Sequence, residues 1–171
     1  MDNRDDTEKQ WSQLIEKIRD IKFTMLTTAN QEGSLRSCPM VTLEASEAGT
    51  LWFLTGQSHR KARDIESNPK VNLAYVAGDK DTFVSVSGEC SLVEDPAKIK
   101  ALWNPFMRAW FPKGFEDPEV GLLRVDVEEA EYWDVTSKKM TTLIRFVKAL
   151  AGSRNKDETT GHGILHPRDG G

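Results

Sequence analysis

Cysteine is scarce in this chain. There are two among 171 residues, Cys38 and Cys90, far apart and in neither a C-x-x-C nor a zinc-ligand spacing. That excludes a disulfide scaffold and a structural zinc site from the expectations, and a reducing, cytoplasmic setting is expected. Long apolar runs are missing as well; none approaches the roughly 18 residues of a membrane span. The opening MDNRDDTEKQ is acidic and polar, so neither a secretory signal nor a transit peptide is expected. Positive charge is not in surplus either. Lys and Arg number 23 against 27 Asp and Glu, a net charge of -4, which argues against a nucleic-acid-coating protein. What remains is 38% hydrophobic and 29% charged, enough apolar mass for one core. A single domain over 1–151 is expected, with the polar, Gly-rich segment 152–171 as a disordered tail.

The pattern along the chain is mainly β. Thr7 to Gln10 fits a capping box, and Trp11, Leu14, Ile15 and Ile18 recur at i, i+3, i+4 and i+7, predicting an amphipathic helix that ends near Asp20. Strands are predicted at 22–29, 34–43, 51–55, 71–76, 82–93, 121–127 and 130–135. The first two form a hairpin around NQEG. Helices are predicted from Ser58 to Ser67, where Asn68–Pro69 ends them, and from Asp95–Pro96 until Pro105 kinks or stops the chain. A last helix is predicted over 138–151. Strands and helices do not alternate, so the spacing favours a small antiparallel barrel with peripheral helices over a parallel sheet.

Three segments could carry chemistry. In LWFLTGQSHRKARDI, residues 51–65, a strand runs into a helix whose first turn holds His59, Arg60 and Lys61. Cations are unfavourable there, because the helix dipole and the orphan N–H groups already supply positive charge. Three in succession suggest a bound anion such as phosphate; a solvated basic helix face is the alternative. In RSCPMV, residues 36–41, alternation puts Arg36, Cys38 and Met40 on one face and Ser37 and Val41 on the other. Arg36 beside inward-facing positions calls for an anion, unless it only guards an edge strand. In EYWD, residues 131–134, Trp133 is either packing or a surface for a flat heteroaromatic ring.

Taken in order, the N-terminal helix, the hairpin with Arg36, the FLT strand with its Arg-Lys helix, the VSVSGE strand and EYW resemble one family. It is the pyridoxamine 5'-phosphate oxidase-like FMN-binding split barrel, bacterial general stress protein branch, over roughly residues 8–135. The resemblance implies an antiparallel six- to seven-stranded split β-barrel, and a homodimer with two flavin sites at its interface. It implies that Arg36 and Lys61 bind the FMN phosphate with help from Arg60 and Ser37. Leu54 and Thr55 would line the ring or ribityl chain through backbone and hydroxyl contacts. The segment from Arg36 through Cys38 to Met40 would run along the isoalloxazine. Ser85 would supply a polar contact, and Trp133 would reach the flavin from the partner subunit. FAD and pyridoxal phosphate, which also join phosphate to a flat ring, stay open as occupants.

True pyridoxamine phosphate oxidases differ from this chain where they hold substrate. They carry a lysine where Val41 stands, and an Arg-Leu-His-type segment where this chain reads DVTSKKM, residues 134–140. The WFPKG loop, residues 110–114, resembles the stress-protein branch, as an aromatic lid or as packing. The implied function is a flavin-binding stress-response protein with a redox or flavin-carrying role. An FMN-dependent oxidoreductase acting on an unidentified small molecule, and an interaction protein using a basic C-terminal helix, are the alternatives. That helix could also touch an anionic membrane, although docking on its own dimer is the favoured reading. No catalytic residue is assigned. The S-x-x-K at Ser58–Lys61 lacks the accompanying SDN and KTG, and the spacing of His162 and His166 lies in a Gly- and Pro-broken tail, so no metal site is expected.

Overall fold

Helix α1 (Asn3–Arg19) starts a turn earlier than the capping box at Thr7 predicts. Asp5 and Asp6 in its first turn and Lys17 and Arg19 in its last complement the helix dipole, which extends the helix past Thr7. The computed structural model describes residues 3–78, 82–134 and 142–145. After α1 come β1 (Thr24–Ala29), β2 (Leu35–Met40), the two-residue β3 (Glu44–Ala45) and β4 (Thr50–Gly56). Helix α2 (Arg60–Ser67) leads to β5 (Lys70–Ala77) and β6 (Thr82–Val93), and α3 (Pro96–Leu102) is followed by a 3-10 turn at Pro105–Ala109. The chain then forms β7 (Val120–Asp134) and β8 (Thr142–Arg145).

The strands make one antiparallel sheet in the order β2-β1-β5-β6-β7-β4-β3, with β8 also on β7. Met40 from one end of that order and Phe53 from near the other meet in the same apolar cluster as Leu26, Leu73, Val86 and Leu123. The sheet is therefore curled into a split barrel around its core. Trp11, Leu14, Ile15 and Ile18 of α1 join this cluster, and Trp11 Nε1 donates to the Ser46 carbonyl at 2.8 Å. A second cluster lies outside β4 and β7, where Leu54, Val120 and Leu122 meet Ile99 of α3 and Met107 of the 3-10 turn.

Two sequence expectations are corrected. The predicted break between the strands at 121–127 and 130–135 is a bulge in one long strand: Ser87 faces Glu129 while Gly88 faces Val127, leaving Glu128 as the extra residue. Lys70 Nζ bridges Glu128 at 2.9 Å and Glu89 at 3.1 Å across the site. The helix predicted over 138–151 is contradicted at residues 142–145, which pair as β8 with Glu129–Tyr132 of β7. Beyond Asp126 the pairing with β4 has ended, so β7 presents a free edge there, and pairing overrides helical periodicity. The rest of that span and residues 146–171 lie outside the described residues.

The bulge brings the β7 backbone onto Gly88, where a Cβ would overlap the Asp126 carbonyl oxygen. Gly88→Ala is expected to destabilise the fold by roughly 2 to 3 kcal/mol in urea unfolding, through backbone displacement at a rigid site.

Candidate functional site

The β1–β2 hairpin sets the position of its arginine. Asn30 Oδ1 accepts from the amides of Glu32 (3.0 Å) and Ser34 (2.9 Å), and Gly33 takes φ +83°, closing the turn in one register. That register pairs Arg36 with Thr28, Cys38 with Leu26 and Met40 with Thr24. Since Thr24, Leu26 and Thr28 are buried, Arg36, Cys38 and Met40 share the inner face, as alternation predicts. Their exposure falls from Arg36 to Met40, so the arginine stands at the rim and the methionine in the core.

Helix α2 closes the other side. Ala62 and Ile65 are buried, which turns its first turn toward the hairpin. The tight link from β4 runs through Gly56, where a Cβ would come within 2.9 Å of Glu119 and of the His59 ring. Glu119 Oε1 accepts from the Ser58 amide (2.9 Å) and from its hydroxyl, so the chain's own carboxylate occupies the approach to the helix. Arg60 and Lys61 then open α2, and their amides are the first with no intrahelical acceptor. Lys61 Nζ donates to His59 Nδ1 at 3.4 Å.

Between hairpin and helix lies a cleft of about 250 Å³ lined by Thr28, Arg36, Ser37, Cys38, His59, Arg60, Lys61 and Asp64. Two arginines and a lysine from two separate elements thus line one small space. Burial raises the Cys38 thiol above its ordinary value, and the Lys61 charge opposes that only in part. Cys90 is pushed up to about 12 by burial first and by Asp126 second, so both thiols are protonated at neutral pH.

The sequence model of the pyridoxamine 5'-phosphate oxidase-like family matches residues 9–157. The chain belongs to that family. It is 31% identical over 136 residues to protein bli-3 of Neurospora crassa, an overlap of 70% of this chain and 65% of that protein. The chain thus spans just under two thirds of that relative's length. A Clostridium acetobutylicum protein related to general stress protein 26 superposes with a TM-score of 0.69 at 22% identity, covering 81% of this chain and 95% of its own. The general stress FMN/FAD binding protein of Xanthomonas citri superposes with a TM-score of 0.61 at 25% identity, covering 89% of this chain and 97% of its own. The architecture is the split barrel of this family.

Of the residues that the family resemblance singles out, the cleft gathers Arg36, Ser37, Cys38, Arg60 and Lys61. Ser37 sits on the opposite face of β2, its hydroxyl 2.7 Å from that of Thr27, so at the cleft it offers backbone. The other side chains lie elsewhere. Met40 is in the barrel core and Leu54 in the second cluster. Thr55 is buried, its hydroxyl on the Gly56 carbonyl at 3.4 Å. Ser85 accepts from Asn72 Nδ2 at 2.8 Å on the outer face of the sheet, and Trp133 pairs with Phe83 on that same face. His59 of the cationic run lines the cleft too, and Thr28 and Asp64 join it without a place in the resemblance. The hairpin register gives Thr28 away, and helical spacing puts Asp64 on the face of Arg60 and Lys61.

The WFPKG segment divides. Phe111 turns inward with Phe115 against Trp103, at 6.4 and 6.0 Å between ring centres. Trp110 stays 49% exposed and stacks edge-on to Phe106 and Phe23. Lys22 Nζ lies 3.9 Å over the Phe106 ring. Glu119 is held below the usual carboxylate range, chiefly by the Ser58 hydroxyl and then by the Ser58 amide. A depressed value in the fold means stability present above the unfolded value and lost as pH falls through the folded one. The protection factor of the Ser58 amide, its exchange rate relative to an unstructured peptide at the same pH, is therefore expected to fall as the pH drops below the ordinary carboxylate range, and to be low already at pH 7 in Glu119→Ala.

Proposed function

We propose that this protein is an FMN-binding member of the general stress branch, a homodimer that holds flavin for a redox or flavin-carrying role in the cytoplasm. The observation that carries this reading is the convergence of Arg36, Arg60 and Lys61 on one cleft. Like charges at the positive end of a helix repel one another and the dipole until an anion compensates them, and a phosphate takes an arginine fork, a lysine and helix amides together.

The residues present fit such a group. At about 250 Å³ the cleft is smaller than the roughly 300–1,000 Å³ that encloses a drug-sized ligand. It suits the phosphate and the start of the ribityl tail, and leaves the ring to lie outside. β2 ends the sheet order, so one side of its backbone is an open row of donors and acceptors. The backbone of β2 from Arg36 to Met40 would offer those groups to the polar edge of the ring. The flavin supplies the electron-transfer chemistry when bound; the chain's part is to anchor, orient and shield it.

A ring on an edge strand needs a second wall. The outer sheet face exposes Met25 (42%), Val76 (57%) and Phe83 (41%) beside the half-buried Trp133. A contiguous apolar face of this kind marks an interaction site, and we assign it to a second copy, with Trp133 reaching the partner's ring. Pyridoxamine phosphate oxidation is outside this reading, because Val41 packs against the second cluster where those oxidases carry lysine.

Titration with FMN, followed by quenching of flavin fluorescence, is expected to show saturable binding. Arg36→Ala with Lys61→Ala should weaken it about 100-fold or more, since each charge-assisted phosphate contact is worth roughly 1.5–3 kcal/mol. Light scattering should still find that variant dimeric. Phe83→Glu should yield a monomer that has also lost flavin affinity. Undiminished affinity in the Arg36/Lys61 variant would refute the phosphate assignment.

A further inference from the structure

The cleft holds one residue that a simple anion trap would not contain. Asp64 lies one turn into α2, on the helical face of Arg60 and Lys61, and is only 8% exposed. Its Oδ2 accepts a long hydrogen bond from Thr28 Oγ1 at 3.4 Å, so its hydrogen-bond partner is a hydroxyl rather than a cation. Removing a carboxylate from water is costly, and an uncharged amide oxygen could accept the same bond. Packing alone does not explain the negative charge.

We infer that Asp64 is a specificity-determining residue: it lets the cleft take a phosphate monoester and turns away more highly charged tails, those of nucleoside di- and triphosphates. The inference rests on the reading of the cleft as a phosphate site. Three cations without a carboxylate would attract an anion more strongly the more charge it carried. Asp64 subtracts from that attraction in proportion to ligand charge, on the order of tenfold for each added unit. With it, the net charge of the lining equals that of a phosphate dianion with the sign reversed. Part of the affinity for the monoester is given up so that the competitor loses more, which is how discrimination against a more charged rival is obtained.

The test is displacement of FMN from the full chain at pH 8, where phosphate is mostly dianionic, by inorganic phosphate and by pyrophosphate in parallel. In Asp64→Asn the ratio of pyrophosphate to phosphate inhibition constants is expected to fall about tenfold relative to wild type. Adding Arg60→Gln to that variant restores the net charge and should bring the ratio back. Loss of a merely structural contact would weaken both competitors alike and leave the ratio still. Asp64→Ser, smaller and still able to hydrogen-bond, serves the same comparison if the asparagine variant does not fold. FMN binding with an unmoved ratio overturns the role of Asp64 alone. Absence of FMN binding by the wild-type protein overturns the phosphate reading and this inference together.

Discussion

Arg36 faces Thr28 because the Asn30 side chain and the left-handed Gly33 close the β1–β2 turn in one register. A slip of one residue would send every side chain of β2 to the other face. Arg36 would then point away from α2, Ser37 would turn in, and the charges that define the cleft would separate. The site depends on this pairing more than on any single contact within it. The turn is local, built from four or five residues, yet it decides whether two distant cation sources meet.

On the helix side the same economy holds. Ala62 and Ile65 bury one stripe of α2, so the first-turn cations have no choice but to face the hairpin. Glu119 fixes the entry to the helix from the start of β7, and Asp64 tempers the charge from within. Carboxylates from the turn before β7 and from α2 thus flank the cationic turn. The result is a pre-formed, charge-adjusted concavity rather than a loose basic patch.

Much of this was legible in the sequence, for identifiable reasons. The core stripe of α1, the 82–93 strand and the Asp95 cap with proline following it obey local rules that tertiary structure did not override. The cationic first turn of α2 and the inner face of Arg36 followed from dipole and alternation arguments. What failed needed knowledge of partners. The Glu128–Glu129 pair looks like a break until Ser87 and Gly88 show it to be a bulge. The residues of β8 carry a helical apolar period and become a strand because β7 has a vacant edge. The contacts that the resemblance gives Leu54 and Thr55 are a different matter: their side chains point to the second cluster and the interior, which leaves their backbone for any ligand. Ser85 and Trp133 lie on the outer face of the sheet, away from the cleft of their own chain, and the resemblance gives Trp133 its contact across a subunit interface.

The central claim is that Arg36, Arg60 and Lys61 together hold the phosphate of a bound flavin. Phosphorus NMR of FMN added to the protein reads that group alone. The account predicts a shifted resonance whose position stays constant between pH 6 and pH 8, because the cations keep the phosphate a dianion throughout. A resonance that titrates like free FMN would contradict it.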